Sequence, residues 1–206
     1  MKTQFAELYG IMAGDGCLSH SGAGKNSGKK YIIYICGHKI DDREHHEYII
    51  SLFKKVFNKE AKICERKKEK AIFIRFSDKR IFYDFANFGF PIGKKYGNLK
   101  MPSWILENKE NIISFLRGLF DTDGTIVFSK QHKKVAYYPR IEITTKSETL
   151  ARQVKECIDK LGIGCSLSRR LNYFRIEVAG KERCILWMRI IGTKNKKHEV
   201  KYQKIV

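Results

Sequence analysis

Apolar residues recur along the chain at two spacings, one typical of helices and one typical of strands. From Arg43 to Phe57 they lie three and four positions apart, which predicts an amphipathic helix. The run 29–36 predicts a strand that forms a hairpin with the segment after Gly16, and the runs 61–65 and 71–77 predict a second hairpin. A short helix is predicted over 80–88. With an apolar segment at the start of the chain, these patterns predict the order αββαββα for the first half.

The same order is predicted again in the second half. Residues 135–145 predict a strand in which Arg140, Glu142 and Thr144 alternate with isoleucines, so that one face is buried and the other is polar. A helix with apolar positions at helical spacing, a hairpin and a last helix follow, up to Ile191. The chain therefore predicts two similar units in tandem.

The two units are joined by a segment of loop-forming composition. Two of the three prolines and three glycines fall between Gly89 and Ser103. We therefore expect an α+β fold of two pseudo-symmetric αββαββα halves. Residues 1–92 are the expected first repeat, 93–109 the linker, and 110–206 the second repeat with a basic C-terminal tail.

Two segments separated by half the chain length have the same plan. Leu8 to Gly16 and Leu116 to Gly124 are each apolar, and each ends in an acid followed by glycine. The acids are Asp15 and Asp123, which are 108 positions apart in a chain of 206. Each segment predicts a helix that ends at its glycine.

Small residues lie on one face of each of these two predicted helices. Gly10 and Gly14 are four positions apart in the first, as are Gly118 and Thr122 in the second. A glycine inside a helix costs roughly 1 kcal/mol relative to alanine, so its presence calls for a reason. We expect the small faces to let the two helices pack closely on each other.

Such packing would make neighbours of Asp15 and Asp123. A carboxylate is disfavoured at a helix C-terminus, and two adjacent carboxylates repel each other. A shared divalent cation would relieve both problems, and oxygen ligands suit magnesium or manganese. The alternative is that each aspartate only forms a turn with the glycine that follows it.

Composition adds a large positive charge to this picture. The chain has 41 Lys and Arg against 22 Asp and Glu, a net charge of +19. This charge favours a polyanionic partner, most often nucleic acid, with an anionic membrane surface as the alternative. Without an apolar run long enough to span a bilayer or a secretory signal, an intracellular location is expected. The six cysteines form no Cys-x-x-Cys pair and are expected to be reduced core residues.

The paired segments resemble the motifs of the LAGLIDADG homing endonucleases in their single-chain, two-repeat form. The second motif matches the name at six of its nine positions, whereas the first has Tyr9 and Ala13 where the name has alanine and aspartate. The resemblance implies a monomeric endonuclease that recognises a long, non-palindromic site in double-stranded DNA. It implies cleavage of one phosphodiester on each strand, with short 3′ overhangs. No obligate protein partner and no membrane are expected.

The resemblance also implies a metal site and catalytic residues. Asp15 and Asp123 would hold Mg²⁺ together with the backbone carbonyls of Gly14 and Thr122. Mn²⁺ would substitute for Mg²⁺, and Ca²⁺ would bind without supporting cleavage. Lys39 and Lys146, each at the end of the second strand of its repeat, are the candidate catalytic lysines, with ordinary phosphate contact as the alternative.

If the two helices pair, the polar faces of the two sheets form one long surface suited to a duplex. Strand ribbons fit the major groove, where Arg and Gln can contact base edges and Lys mostly contacts phosphate. The candidate DNA-binding residues are Lys25, Lys29, Lys30, Tyr31, Tyr34, His38, Arg66, Lys68, Arg75, Lys130, Gln131, Lys133, Lys134, Tyr137, Arg140, Arg169, Arg170 and Arg175.

Two other functions are compatible with the same fold. An intron RNA-splicing maturase or a catalytically silent DNA-binding protein would keep the basic surface without needing both acids. The presence of both Asp15 and Asp123 favours the endonuclease.

Overall fold

The structure, a computed structural model, describes residues 2–21, 30–66, 69–95, 97–131, 134 and 137–206. Its elements follow the predicted order in both halves. The first half contains α1 (Lys2–Asp15), β1 (Gly16–Ser21), β2 (Lys30–His38), α2 (Arg43–Phe57), β3 (Ile63–Glu65), β4 (Ala71–Ser77) and α3 (Lys79–Asn87). The rest contains α4 (Ser103–Leu106), α5 (Lys109–Asp123), β5 (Gly124–Ser129), β6 (Tyr138–Thr145), α6 (Glu148–Lys160), β7 (Ser166–Arg169), β8 (Phe174–Ala179), α7 (Lys181–Ile190) and α8 (Lys196–Tyr202).

Each half contains one antiparallel four-stranded sheet. The strand orders are β1-β2-β4-β3 and β5-β6-β8-β7, so the two halves have the same topology. Ile33 and Ile35 of β2 and Ile141 and Ile143 of β6 point into the core on one side of each sheet, as strand alternation requires. The other side, which we term the open face, carries polar and basic residues. The predicted α+β fold of two similar halves is confirmed.

Helices α1 and α5 pack against each other through their glycines. A Cβ atom added at Gly10 would lie 2.2 Å from the carbonyl oxygen of Phe115, and one added at Gly118 would lie 2.2 Å from that of Glu7. No side chain larger than hydrogen fits at either position without displacing backbone. The close packing expected from the small residues is therefore present, with the same contact made from both sides.

Two helices lie where the sequence predicted only connections. Helix α4 falls within the predicted linker, and α8 falls within the basic tail, where Asn195 caps it through the backbone N–H of Lys197. Both are short, with four and seven residues, so their apolar spacing is too brief to give a periodic signal.

The cysteines differ in part from the expectation. All six are free, but only Cys157 and Cys184 are buried. Cys17, Cys36 and Cys64 are partly exposed, because the alternation of their strands places them on the side opposite the core isoleucines.

Within the described ranges, none of the helices has the length and apolar character needed to cross a membrane.

Candidate metal and nucleic-acid site

Asp15 and Asp123 are the last residues of α1 and α5, and the packing of these helices brings the two acids to one place. The junction is tight, because a Cβ atom at Gly14 would lie 2.0 Å from the hydroxyl oxygen of Thr122 and 3.4 Å from the carboxyl carbon of Asp123. The predicted convergence of the two acids therefore occurs, at the end of the helix pair where the helix dipoles disfavour negative charge.

Both carboxyl groups are held in conditions that oppose their ionisation. Burial, together with the nearby carboxylates of Asp123 and Asp42, raises the pKa of Asp15 to about 7. Burial likewise raises the pKa of Asp123 to about 6. The ammonium groups of Lys95 and Lys197 act in the opposite direction on both acids. The site is a pair of desolvated carboxyl groups that positive charge stabilises.

Lys95 places its ammonium group on the C-terminal carbonyls of α1. Its Nζ donates to the carbonyl oxygens of Met12 at 3.3 Å and Ala13 at 2.9 Å, and also to that of Gly14. Burial lowers the pKa of Lys95, while Asp123 and Asp15 favour its charged form. The sequence shows two lysines after Gly93, but no periodic pattern indicates that the second one reaches the helix end.

Lys197 and Asn195 approach the site from the tail. The Asn195 side-chain amide donates to the carbonyl oxygen of Asp121 and to Asp42, both at 2.9 Å. Lys197 Nζ donates to the same oxygen of Asp42 at 2.8 Å. Burial alone would raise the pKa of Asp42, but hydrogen bonds from Lys197, the His38 backbone N–H and Asn195 lower it to about 2. The tail is thus tied to the start of α2 by an ionised carboxylate.

Asp121 lies just before the metal-site residues in a buried polar cluster. The backbone N–H of Lys194 donates to its carboxylate at 2.8 Å, and the Thr193 hydroxyl donates to the other oxygen. His45 Nε2 lies 3.7 Å from Asp121 Oδ2. Burial lowers the pKa of His45 to about 3 and keeps the ring neutral at pH 7. Burial raises the pKa of Asp121 to about 7. The first motif has Ala13 at the equivalent position and therefore has no carboxylate there.

The two predicted catalytic lysines have different surroundings. Lys146 lines a cavity of about 370 Å³ together with Asp123, Lys95 and Tyr173. Lys39 instead pairs with Glu65 at 2.6 Å, where Arg43 also contacts the same carboxylate. The structure therefore places Lys146, but not Lys39, in the cavity that Asp123 lines.

On the first sheet, most of the described candidate DNA-binding residues lie on the open face. Tyr34 stacks on Phe73, and Arg66 and Arg75 line the same cavity of about 500 Å³. Tyr31 lies on the opposite face, with its ring 5.4 Å from that of Phe82, because it alternates with Tyr34 along β2. Lys30 is exposed at the start of β2, and His38 at its end pairs with Asp41 at 3.0 Å.

On the second sheet, Arg140 and Arg175 lie on the open face in a network of ion pairs. Arg140 contacts Glu177 at 3.2 Å, and Arg175 contacts Glu142 at 3.5 Å. Arg169 is exposed but pairs with Phe174 across the strands, which puts it on the core side.

The remaining candidates lie in connections. Arg170 is in the turn after β7, and Lys130, Gln131, Lys134 and Tyr137 lie between β5 and β6. Lys25, Lys29, Lys68 and Lys133 lie outside the described residues.

The donors at the two helix ends fit a hard divalent cation. Among the described residues, no group of three or more His, Cys, Asp and Glu side chains is arranged to hold a metal ion. The protein would therefore supply two carboxylates and the carbonyls of Gly14 and Thr122, and other oxygen ligands would come from a bound molecule. The Gly14 carbonyl accepts from Lys95, but a carbonyl oxygen has two lone pairs and can serve a second partner.

The chain is similar to two known domain families and to one curated protein. Residues 110–201 match the LAGLIDADG-like domain, and residues 6–81 match the WhiA LAGLIDADG-like domain. The replicative DNA helicase DnaB of Synechocystis sp. (strain ATCC 27184 / PCC 6803 / Kazusa) is 27% identical over 227 residues, covering 100% of this chain and 24% of that protein. The chain thus spans about a quarter of the length of this relative.

Two kinds of solved structure share the fold. I-DmoI in complex with DNA and Mn aligns with a TM-score of 0.66 and 21% identity, over 93% of this chain and 97% of that chain. I-DmoI is a homing endonuclease, and its complexes with DNA also include one with Ca. Full-length DUF199/WhiA from Thermatoga maritima aligns with a TM-score of 0.62 and 18% identity, over 99% of this chain and 59% of that chain. At these identities the likeness shows the fold.

Proposed function

We infer that this chain, a LAGLIDADG-fold protein with two LAGLIDADG-like domains, is a site-specific endonuclease that cuts both strands of a DNA duplex. The observation that carries the proposal is the meeting of Asp15 and Asp123 at the touching ends of α1 and α5. Two half-buried carboxylates with raised pKa values make a poor structural element, because they repel each other and the helix dipoles disfavour them. They make a good site for a divalent cation shared between the two halves.

The residues around the acids have distinct roles in this proposal. Asp15 and Asp123 hold Mg²⁺, or Mn²⁺ in its place, with the carbonyls of Gly14 and Thr122. When bound, a divalent cation activates water and stabilises the departing 3′-oxygen. Lys95 lines the same cavity as Asp123 and Lys146, where an ammonium group can stabilise charge that develops on a phosphate.

Lys197 is the counterpart of Lys95 on the tail. Its charge acts on both acids, and Asp42 fixes its position. Lys39, which is paired with Glu65 in the described structure, is retained as a phosphate contact at the edge of the first sheet. The catalytic lysines of the proposal are thus Lys95, Lys197 and Lys146.

The open faces of the two sheets form the DNA-binding surface. Support comes from the net charge of +19 and from the DNA-bound structures of I-DmoI, which share the fold. The two faces differ in chemistry, since one has an aromatic and basic cavity and the other has a network of Arg–Glu pairs. We therefore expect a long, non-palindromic site bound by one copy of the chain, and cleavage that leaves short 3′ overhangs.

The deciding experiment is incubation with a randomised duplex library and Mg²⁺, followed by sequencing of the cut ends. One asymmetric sequence should be cut on both strands. Asp15→Asn and Asp123→Asn should each abolish double-strand cleavage and leave binding in Ca²⁺ largely intact. Asp84→Asn, on α3 away from the acids, is the matched control and should cut normally. Full cleavage by either motif variant would contradict the proposal.

A DNA-binding protein without nuclease activity is the second candidate. It is favoured by the match of residues 6–81 to the WhiA LAGLIDADG-like domain. In that case the same library would yield a bound sequence but no cut ends with Mg²⁺ or Mn²⁺. For either candidate, contacts to about 6–10 phosphates would give a log-log salt slope of roughly −5 to −9.

A further inference from the structure

Leu171 is the most exposed large apolar residue among those that the structure describes, with 95% of its surface accessible. It lies with Asn172 in the turn between β7 and β8. The backbone N–H of Arg170 donates to the carbonyl oxygen of Tyr173 at 2.8 Å and closes the turn. An isolated apolar side chain on a surface is ordinary, so the position of this turn decides whether Leu171 has a role.

The turn lies near the acid of the second motif. Tyr173 lines the same cavity as Asp123, Lys95 and Lys146. Continuing the register of β7 and β8 pairs Arg170 with Tyr173, on the same face of the sheet as Arg175. The tip therefore presents an apolar side chain next to a basic one, at the centre of the proposed DNA surface and not at its edge.

The shape of a duplex indicates what this tip meets. A strand ribbon fits the major groove, and the two open faces lie on either side of the acids. Major grooves on one side of B-DNA recur about every 10 base pairs. Midway between them the minor groove faces the protein, so the tip that stands beside the acids faces a minor groove. This placement of the duplex on the protein rests on the proposed function.

We propose that Leu171 is an apolar wedge that enters the minor groove beside the scissile phosphates and partly unstacks one base step. Apolar side chains such as leucine act in this way in other minor-groove proteins, where they kink the duplex. Arg170 holds the neighbouring phosphate backbone. Pyrimidine–purine steps unstack most easily, so Leu171 adds a sequence preference at the centre of the site without any hydrogen bond to a base.

The equivalent tip of the first half has different chemistry. Its described residues include Arg66 and Glu69, which pair with each other at 3.5 Å, and Lys70. The described residues of this tip therefore carry charge, whereas the tip of the second half carries leucine. The wedge acts from one side of the centre, and the preferred step is displaced toward the half-site that the second sheet contacts.

The test uses a duplex selected for binding in Ca²⁺, with 2-aminopurine placed at each central position in turn. The wild-type chain should raise the fluorescence several-fold at one step. Leu171→Ser should remove this rise and weaken binding by less than removal of a phosphate contact does, whereas Leu171→Met should retain the rise. Val200→Ser, which changes an exposed aliphatic residue in α8, is the matched control and should behave as the wild type.

A wild-type chain that raises fluorescence at no central position would overturn the wedge, as would an equal rise with Leu171→Ser. The thermal unfolding of Leu171→Ser should match the wild type, since the side chain is exposed. Binding with a Leu171-dependent rise but without cleavage in Mg²⁺ supports the wedge and contradicts the endonuclease alone. Failure to select any duplex overturns both proposals.

Discussion

The linker and the C-terminal tail each contact the other half of the chain at an equivalent place. We term these two contacts the linker crossing and the tail crossing, and their chemistry differs. In the tail crossing, Asn195 and Lys197 of the second half contact Asp42, the residue before α2. In the linker crossing, Ser147, the residue before α6, donates to the carbonyl oxygen of Leu99 at 2.6 Å. Gln153 reinforces the linker crossing by pairing with the backbone of Met101.

The fold sets where a crossing occurs and leaves its chemistry open. Each crossing fixes a segment that places one lysine near the acids. Lys95 precedes the linker crossing, and Lys197 lies within the tail crossing. The linker crossing is neutral, and Lys95 is held by helix carbonyls. The tail crossing is ionic, and Lys197 is held by Asp42. Similar placement of two cations has therefore been reached through different partners.

The largest effect is expected where the halves are most alike, at the helix pair. Gly10→Ala and Gly118→Ala should each lower the free energy of unfolding by about 3 kcal/mol, because the added Cβ would overlap a backbone carbonyl. The better helix propensity of alanine offsets only about 1 kcal/mol. Urea unfolding measures both. Gly97→Ala, where nothing lies within 4 Å of an added Cβ, is opposed only by the positive φ of this residue and should cost less than either helix substitution. If the two variants lower the free energy of unfolding only slightly and by different amounts, the helices are not tightly packed from both sides.

A smaller and unequal pair of effects is expected at the crossings. Asp42→Ala leaves Lys197 and Asn195 without their acceptor and should cost about 2–3 kcal/mol, whereas Ser147→Ala should cost about 1 kcal/mol. The folded pKa of Asp42 is lowered from 3.8 to about 2. Its contribution is therefore present above pH 3.8 and is lost as the pH falls toward 2. Equal costs at pH 7, or a cost of Asp42→Ala that does not shrink in acid, would refute the ionic character of the tail crossing.

The acids should show the opposite dependence on pH. The folded pKa of Asp15 is raised from 3.8 to about 7, so the folded state binds more protons between these values and loses stability as the pH rises. In EDTA at pH 8, Asp15→Asn should be more stable than the wild type by about 2 kcal/mol, and this gain should vanish near pH 4. Asp84→Asn should gain nothing. A wild type more stable than Asp15→Asn under these conditions would contradict a strained metal-free site.

The sequence predicts the parts of this site that depend on local periodicity. Glycines at helical spacing predict the face through which α1 and α5 meet, and the repeat at 108 positions predicts that their acids converge. The face of Tyr31 was also predictable, since it alternates with Tyr34 and shares a side with the apolar Ile33. The prediction that Tyr31 lies on the DNA-binding face is wrong, because the aromatic and polar character of tyrosine suits either side of a sheet.

Other parts depend on contacts that no local pattern encodes. Lys95 and Lys197 lie in segments without periodicity, and each acquires its partner only when the chain folds back on a helix end. Strand alternation places Arg140 and Arg175 on the open face, but only the register of β6 and β8 shows that Glu177 and Glu142 are their partners. Ala13 and Asp121 occupy equivalent motif positions, yet the buried cluster around Asp121 exists only because the tail reaches it.

The most direct test of a metal site shared by the two halves is a count of Mn²⁺ ions bound to the protein–duplex complex, made by electron paramagnetic resonance of the free ion. Asp15→Asn and Asp123→Asn should each bind less Mn²⁺ than the wild type, and the double variant should bind none at this site. Asp84→Asn should bind as much as the wild type. If the double variant binds Mn²⁺ with the wild-type stoichiometry and affinity, Asp15 and Asp123 are not the metal ligands.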